Sequence, residues 1–194
     1  MKTAERIFIS LALIGFAFRL LHFPLASMLL ILGISGLAIM YMYTTLPLLH
    51  GVPLREMLKK DAYQPTSPKR ILGSILSGVS LALTLMGIMF YLQFWPHYHL
   101  HLYAGVGGLC IAIIVAASRF TASNSFYRRL YQRIIPVAFF GLAAVFVPNF
   151  VWFEYSYKAH PEYIEAVRAL QDDPGNADLQ QRVDDARDAM RKMQ

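Results

Sequence analysis

Three histidines alternate at positions 97, 99 and 101, directly after Pro96, and a fourth, His22, lies close to Arg19 and just before Pro24. Imidazole is a common ligand of metals and haem iron, so this trio is the part of the chain best suited to metal or redox chemistry. Its surroundings argue otherwise. Trp95, Tyr98 and Tyr103 are interleaved with the histidines, and no carboxylate occurs between Asp61 and Glu154 to complete a hard or catalytic metal site. Mixed His, Trp and Tyr is the composition of a membrane-interface belt. The expectation is therefore no metal and no cofactor, with His97, His99 and His101 as weak candidates; a redox or haem-binding subunit using them is the alternative. Arg19, His22, Pro24, Trp95 and Pro96 are expected to bond within two chain corners, or to meet a lipid headgroup or a partner's acidic group. The single cysteine, Cys110, offers neither a disulfide framework nor a cysteine metal site. With no nucleophile paired to a base, no phosphate loop and no paired carboxylates, the chain reads as non-enzymatic.

The elements that must position these residues are set by hydropathy. Of 194 residues, 56 % are hydrophobic and 15 % charged, with a mean hydropathy of +0.42. No Asp, Glu, Lys or Arg occurs from Leu20 to Leu54, and such a run needs hydrocarbon around it. Proline fixes φ, lacks an N–H and suits the first turn of a helix, so a helix should end near Phe23 and the next begin at Pro24. The expected fold is an all-α polytopic membrane protein with five spans: Ile7–Phe23, Pro24–Leu49, Ile71–Trp95, Pro96–Ser118 and Ile134–Phe153. These give a first hairpin over 1–49, a polar loop over 50–70, a second hairpin over 71–118, a loop over 119–133, a fifth span over 134–153 and a polar tail over 154–194. A secretory signal is the rival reading of the start; Pro24-Leu25-Ala26 is a poor cleavage site.

The corner recurs 72 positions later. Leu11–Met42 aligns without a gap on Leu83–Ile114, sharing Gly15/Gly87, Phe18/Phe90, Pro24/Pro96, Gly33/Gly105 and Gly36/Gly108, with Phe23/Trp95 as an aromatic pair. Shared glycine, proline and aromatic positions fix a corner and its close approaches, so the hairpins read as a parallel duplication. Gly107 adds to the second copy's small-residue face.

Loop charge sets the expected orientation. The start carries two Lys or Arg, the 50–70 loop five (Arg55, Lys59, Lys60, Lys69, Arg70) and the 119–133 loop four (Arg119, Arg128, Arg129, Arg133), whereas the corner at 95–101 has none. Short cytoplasmic loops accumulate these residues, so the N-terminus is expected inside and, after five spans, the tail in the periplasm. The tail holds six bases and nine acids, a net charge of −3, so the formal +6 of the chain belongs to its cytoplasmic side. That is a topology signal and implies no nucleic-acid partner. Arg19 is the only charge inside the expected spans, which argues against an ion-coupled transporter. Asn149, beside Pro148, is expected to satisfy backbone groups that the proline frees.

Phe18-Arg19-Leu20-Leu21-His22-Phe23-Pro24, followed by Met28-Leu29-Leu30-Ile31-Leu32-Gly33-Ile34-Ser35, resembles the N-terminal transmembrane hairpin of the GldL family of gliding-motility and type IX secretion motors. The resemblance covers about Phe18–Ala38, with an echo at 90–110. It implies an inner-membrane hairpin protein of a Bacteroidota-like envelope. The family's membrane glutamate aligns with Leu37, and with Leu109 in the copy, so proton-driven rotation is not implied. In the tail, Pro161 can open one helix, Asp172-Asp173-Pro174-Gly175-Asn176 breaks it, and Leu179, Val183, Ala186 and Met190 recur at helical spacing in a second. One helical pair makes no stable solenoid. The stripe is expected to pack on a partner, on another copy or on the membrane part, or the pair to remain mobile. The function expected is thus a non-enzymatic subunit or scaffold of a bacterial envelope complex, associated with lipid and with other membrane subunits or itself.

Overall fold

A computed structural model of the chain describes residues 2–23, 25–64, 66–118 and 125–192. The described residues form helices α1 (Lys2–Leu20), α2 (Ala26–His50), α3 (Pro68–Leu92), α4 (Tyr98–Ala117), α5 (Ser125–Phe146), α6 (Asn149–Ser156), α7 (Pro161–Asp172) and α8 (Ala177–Lys192), and no strand. Two short 3₁₀ turns, Leu54–Glu56 and Lys60–Tyr63, punctuate the α2–α3 connection. The chain divides into two compact units, Met1–Val147 and Pro148–Gln194.

In the first unit α1 pairs with α2 and α3 with α4, while α3 also packs on α2 and α5. α3 is the central helix: 56 % of its most apolar window is buried, against 39 % for α2 and 28 % for α4 and α5. Its buried hydroxyls satisfy themselves on their own helix, Ser74 on the Arg70 carbonyl, Ser77 on Gly73, Ser80 on Leu76 and Thr84 on Ser80, at 2.7–2.9 Å. A helix with polar residues in its centre can therefore sit inside the bundle. Outside, Leu13, Leu21, Met28, Leu32, Ile39, Leu72, Ile111, Ile114, Phe139 and Phe146 stand exposed. A continuous apolar exterior of this kind belongs in hydrocarbon.

Among the described residues four helices, α2 to α5, are long and apolar enough to cross a membrane. α1 falls short because every 18-residue window of its 19 residues contains Glu5, Arg6 and Arg19.

Both corners have the same backbone geometry. At the end of α1, His22 takes φ 58°, its N–H bonds the Arg19 carbonyl, and the Phe23 N–H reaches back to Phe18. At the end of α3, Phe94 takes φ 58°, bonds Tyr91, and the Trp95 N–H reaches back to Phe90. Each is a Schellman ending with its apolar contact made by rings, Phe18 on Phe23 at 5.4 Å and Phe90 on Trp95 at 5.1 Å. Leu25 and His97, again 72 apart, take φ 69° and 62° at the entries to α2 and α4. The helices then cross at equivalent points. A Cβ on Gly33 would collide with the backbone of Ala12, and one on Gly105 with the backbone of Thr84.

Several expected boundaries move. Pro24 lies outside the described residues, as does Arg119, and α2 opens at Ala26; α4 opens at Tyr98 instead of Pro96, because the left-handed residue at each corner must precede the helix. The stretch expected as one fifth span is broken. Pro148 has no N–H to continue the ladder and disfavours helix at Val147, so α5 ends at Phe146. Arg128, Arg129 and Arg133, expected in a loop, lie in the first half of α5. Phe153, expected to end a membrane span, is instead a buried residue of the second unit, with rings of Phe150, Tyr157 and Tyr163 within 4.8–5.7 Å.

In that unit Pro161 opens α7, and the Asn176 side chain accepts hydrogen bonds from the Asp178 and Leu179 N–H groups to start α8. α8 packs on α7; Val183 and Met190 are buried, Leu179 and Ala186 half-buried. Arg168 pairs with Glu154, and Arg187 with Asp184.

Candidate functional site: the buried charge cluster and the two corners

The principal polar site is at the end of the bundle where α1 begins. Glu5, the only acidic residue before Glu56, is 7 % exposed. Arg133 grips it bidentately, Nε to Oε1 and Nη2 to Oε2, both at 2.7 Å, and the Tyr41 hydroxyl donates to Oε1 at 2.9 Å. Fork-to-carboxylate pairing is the strong form of ion pair, and in a low-dielectric interior it neutralises two charges that could not be buried singly. The three groups come from α1, α2 and α5. One carboxylate thus ties the first hairpin to the fifth helix.

Arginine extends the cluster. Arg133 also donates to the Arg129 carbonyl at 2.9 Å, and Arg129 to the Leu49 carbonyl at 3.3 Å, at the end of α2 where carbonyls lack helical partners. Gly51, at φ 75°, leaves the space that the Arg129 guanidinium fills. Arg70 lies over Phe126 at 4.5 Å and Tyr127 at 5.4 Å. His50 Nδ1 sits 2.9 Å from the Leu46 carbonyl, and its ring meets Phe126 at 5.0 Å and Tyr63 at 6.0 Å. Tyr63 donates to the Met57 carbonyl, and burial raises its phenol above the usual range. The chemistry available here is clamping: guanidinium, carboxylate and phenol are spent on one another and on helix ends.

None of this was visible in the sequence as a site. By sequence Glu5 lies in a short basic start, and Arg129 and Arg133 lie in a stretch with the pattern of a charged loop. The signal was the isolated acid itself: α1 reaches back to Lys2, so Glu5 belongs to the first helix, ahead of the expected span over Ile7–Phe23.

The other end places the residues singled out by type and spacing. Arg19 Nη1 donates to Ser27 Oγ at 3.0 Å and its guanidinium lies 5.5 Å from the Phe94 ring; Gln93 donates to the Ser27 carbonyl at 3.3 Å. Ser27 therefore links the corners. His22 is exposed at its left-handed position, and Trp95 and Pro96 are exposed beside it in the second corner. The three later histidines do not converge. His97 is exposed, His99 lies tilted against the Tyr98 ring at 3.8 Å, and His101 lies 4.9 Å from Phe90 with Nδ1 3.3 Å from the His97 carbonyl. Among the described residues no group of three His, Cys, Asp or Glu is placed to hold a metal. Leu37 and Leu109 are both buried.

Comparison with protein-family models, with curated proteins and with solved structures yields no match.

Proposed function

We propose that the protein is a non-enzymatic membrane subunit or scaffold of a bacterial envelope complex, in which the first unit is the anchor and the second the docking module. The observation that carries this reading is the Glu5–Arg133–Tyr41 clamp: the most deeply placed charges of the bundle are committed to holding helices together. Clamping also gives α1 a route into the membrane as a fifth span, since Arg133 neutralises Glu5, while Ile7, Leu13 and Leu20 stay on its apolar exterior. With five spans and the basic residues inside, the N-terminus is cytoplasmic and the tail periplasmic. The resemblance of residues 18–38 to a secretion-motor hairpin points to the same kind of assembly. With Leu37 and Leu109 in place of the family's glutamate, the subunit would conduct no protons by itself.

Native electrophoresis of gently solubilised membranes tests the reading. The full chain should migrate in a complex several times larger than 22.0 kDa, and deletion of residues 177–194 should release the bundle while leaving it membrane-inserted. A full chain that stays monomeric would overturn the scaffold. A proton flux in vesicles containing the protein alone, abolished by Glu5→Gln, would replace it with a conducting role.

A further inference from the structure

A groove of about 610 Å³ opens on the surface of the first unit, between the end of α4 and the first half of α5, lined by Ala117, Arg128, Tyr131, Gln132, Ile135 and Pro136. We propose that it binds an anionic phospholipid, with the phosphate at Arg128 and an acyl chain along Ile135 and Pro136.

The lining is graded along one helix face. Arg128, Gln132, Ile135 and Pro136 follow one another at spacings of four, three and one, so they form a stripe that begins charged near the start of α5 and ends apolar. From Arg128 to Pro136 the helix rises about 12 Å, a span that reaches from a lipid headgroup into its first acyl carbons. Pro136, which offers no N–H to continue the helical ladder, places its ring in the groove wall beside Ile135 and extends the apolar end of the stripe. Tyr131, bonded to the Ile113 carbonyl at 3.4 Å, fastens α5 to α4 and fixes the groove's width.

Charge selects the occupant. Arg70, Arg128, Arg129 and Arg133 all belong to this end, and the one acid buried with them, Glu5, is taken by Arg133. The surplus is positive, and basic pockets between membrane helices are matched by anionic headgroups. Both flanking helices are of membrane length, so the open space faces hydrocarbon and headgroups. A second copy of the bundle would bring to it mainly apolar surface.

The test uses the full-length protein in mild detergent, titrated by native mass spectrometry with phosphatidylglycerol and with phosphatidylcholine of the same chain length. Wild type should prefer phosphatidylglycerol, Arg128→Gln should lose about fivefold of that preference, and Arg128→Lys should keep it. Ile135→Trp fills the groove without altering charge and should weaken both lipids, which keeps the test open if Arg128→Gln does not fold. Arg187→Gln, in the second unit, should change nothing. Equal binding of the two lipids by wild type, an undiminished preference in Arg128→Gln, or lipid-insensitive dimers that Ile135→Trp dissociates would each overturn the proposal.

Discussion

The hairpins α1–α2 and α3–α4 have nearly the same corners and different jobs. Their left-handed residues, reaching-back hydrogen bonds and ring contacts coincide at an offset of 72, and so do the points where Gly15 and Gly87 bring the backbone of Leu30 and Leu102 to within 2.7 and 2.8 Å of where a Cβ would stand. Leu30 and Leu102 are each 1 % exposed. Away from the corners the copies diverge. Glu5 of the first corresponds to Ser77 of the second; Glu5 reaches across the bundle to α5, whereas Ser77 bonds only its own helix. The second hairpin supplies the central helix, and the first is a flank held by charge. Identical turns thus serve unequal roles, because the turn is encoded locally and the role by what packs alongside.

The sharpest way to break that contrast is at the unequal pair. Glu5→Ala leaves Arg133 buried without its partner and should cost 3–5 kcal/mol, roughly; Ser77→Ala removes one intrahelical bond and should cost about 1 kcal/mol or less. Unfolding free energies in a reversible detergent system compare them, and equal losses would show that the clamp holds nothing. Glu5→Gln with Arg133→Met should recover part of the loss.

Next come the buried leucines at equivalent places in the second helix of each hairpin, Leu37 and Leu109. Leu109→Ala should destabilise by about 2–5 kcal/mol, and Leu37→Ala by less within that range, since Leu109 is 0 % exposed and Leu37 6 %. A larger loss at Leu37 would show that the first hairpin is the more tightly packed of the two at this position.

Overpacking the helix crossings probes the equivalence itself. Gly33→Val and Gly105→Val should each cost about 1–3 kcal/mol, with Gly105 the more sensitive because its neighbour Thr84 is 0 % exposed and cannot give way. Thermal midpoints that fall for one substitution alone would show that only one hairpin is closely packed. The smallest effect is expected at the helix entries. Leu25→Gly and His97→Gly each relieve a left-handed residue and should stabilise by about 1 kcal/mol, by similar amounts if the corners are energetically as well as geometrically alike.

The apolar runs and corner residues by themselves dictated an all-helical chain rich in membrane-length helices, and the recurrence of glycine, proline and ring positions marked where two like hairpins would turn. These features are local: a Schellman ending needs only its own few residues, and a helix in hydrocarbon needs only its own side chains. The tail was legible for the same reason, from Pro161, the 172–176 break and the 179–190 stripe. Sequence could not show that Val147 and Pro148 divide the chain into two units, or that Phe153 would find its neighbours in Tyr157 and Tyr163. It also gave Arg133 the look of loop charge, since an arginine becomes tolerable inside a bundle only when a carboxylate 128 residues away is brought to it. Desolvation is decided by the assembled surroundings, so the pairing that fixes α1 against α5 exists only in the tertiary structure.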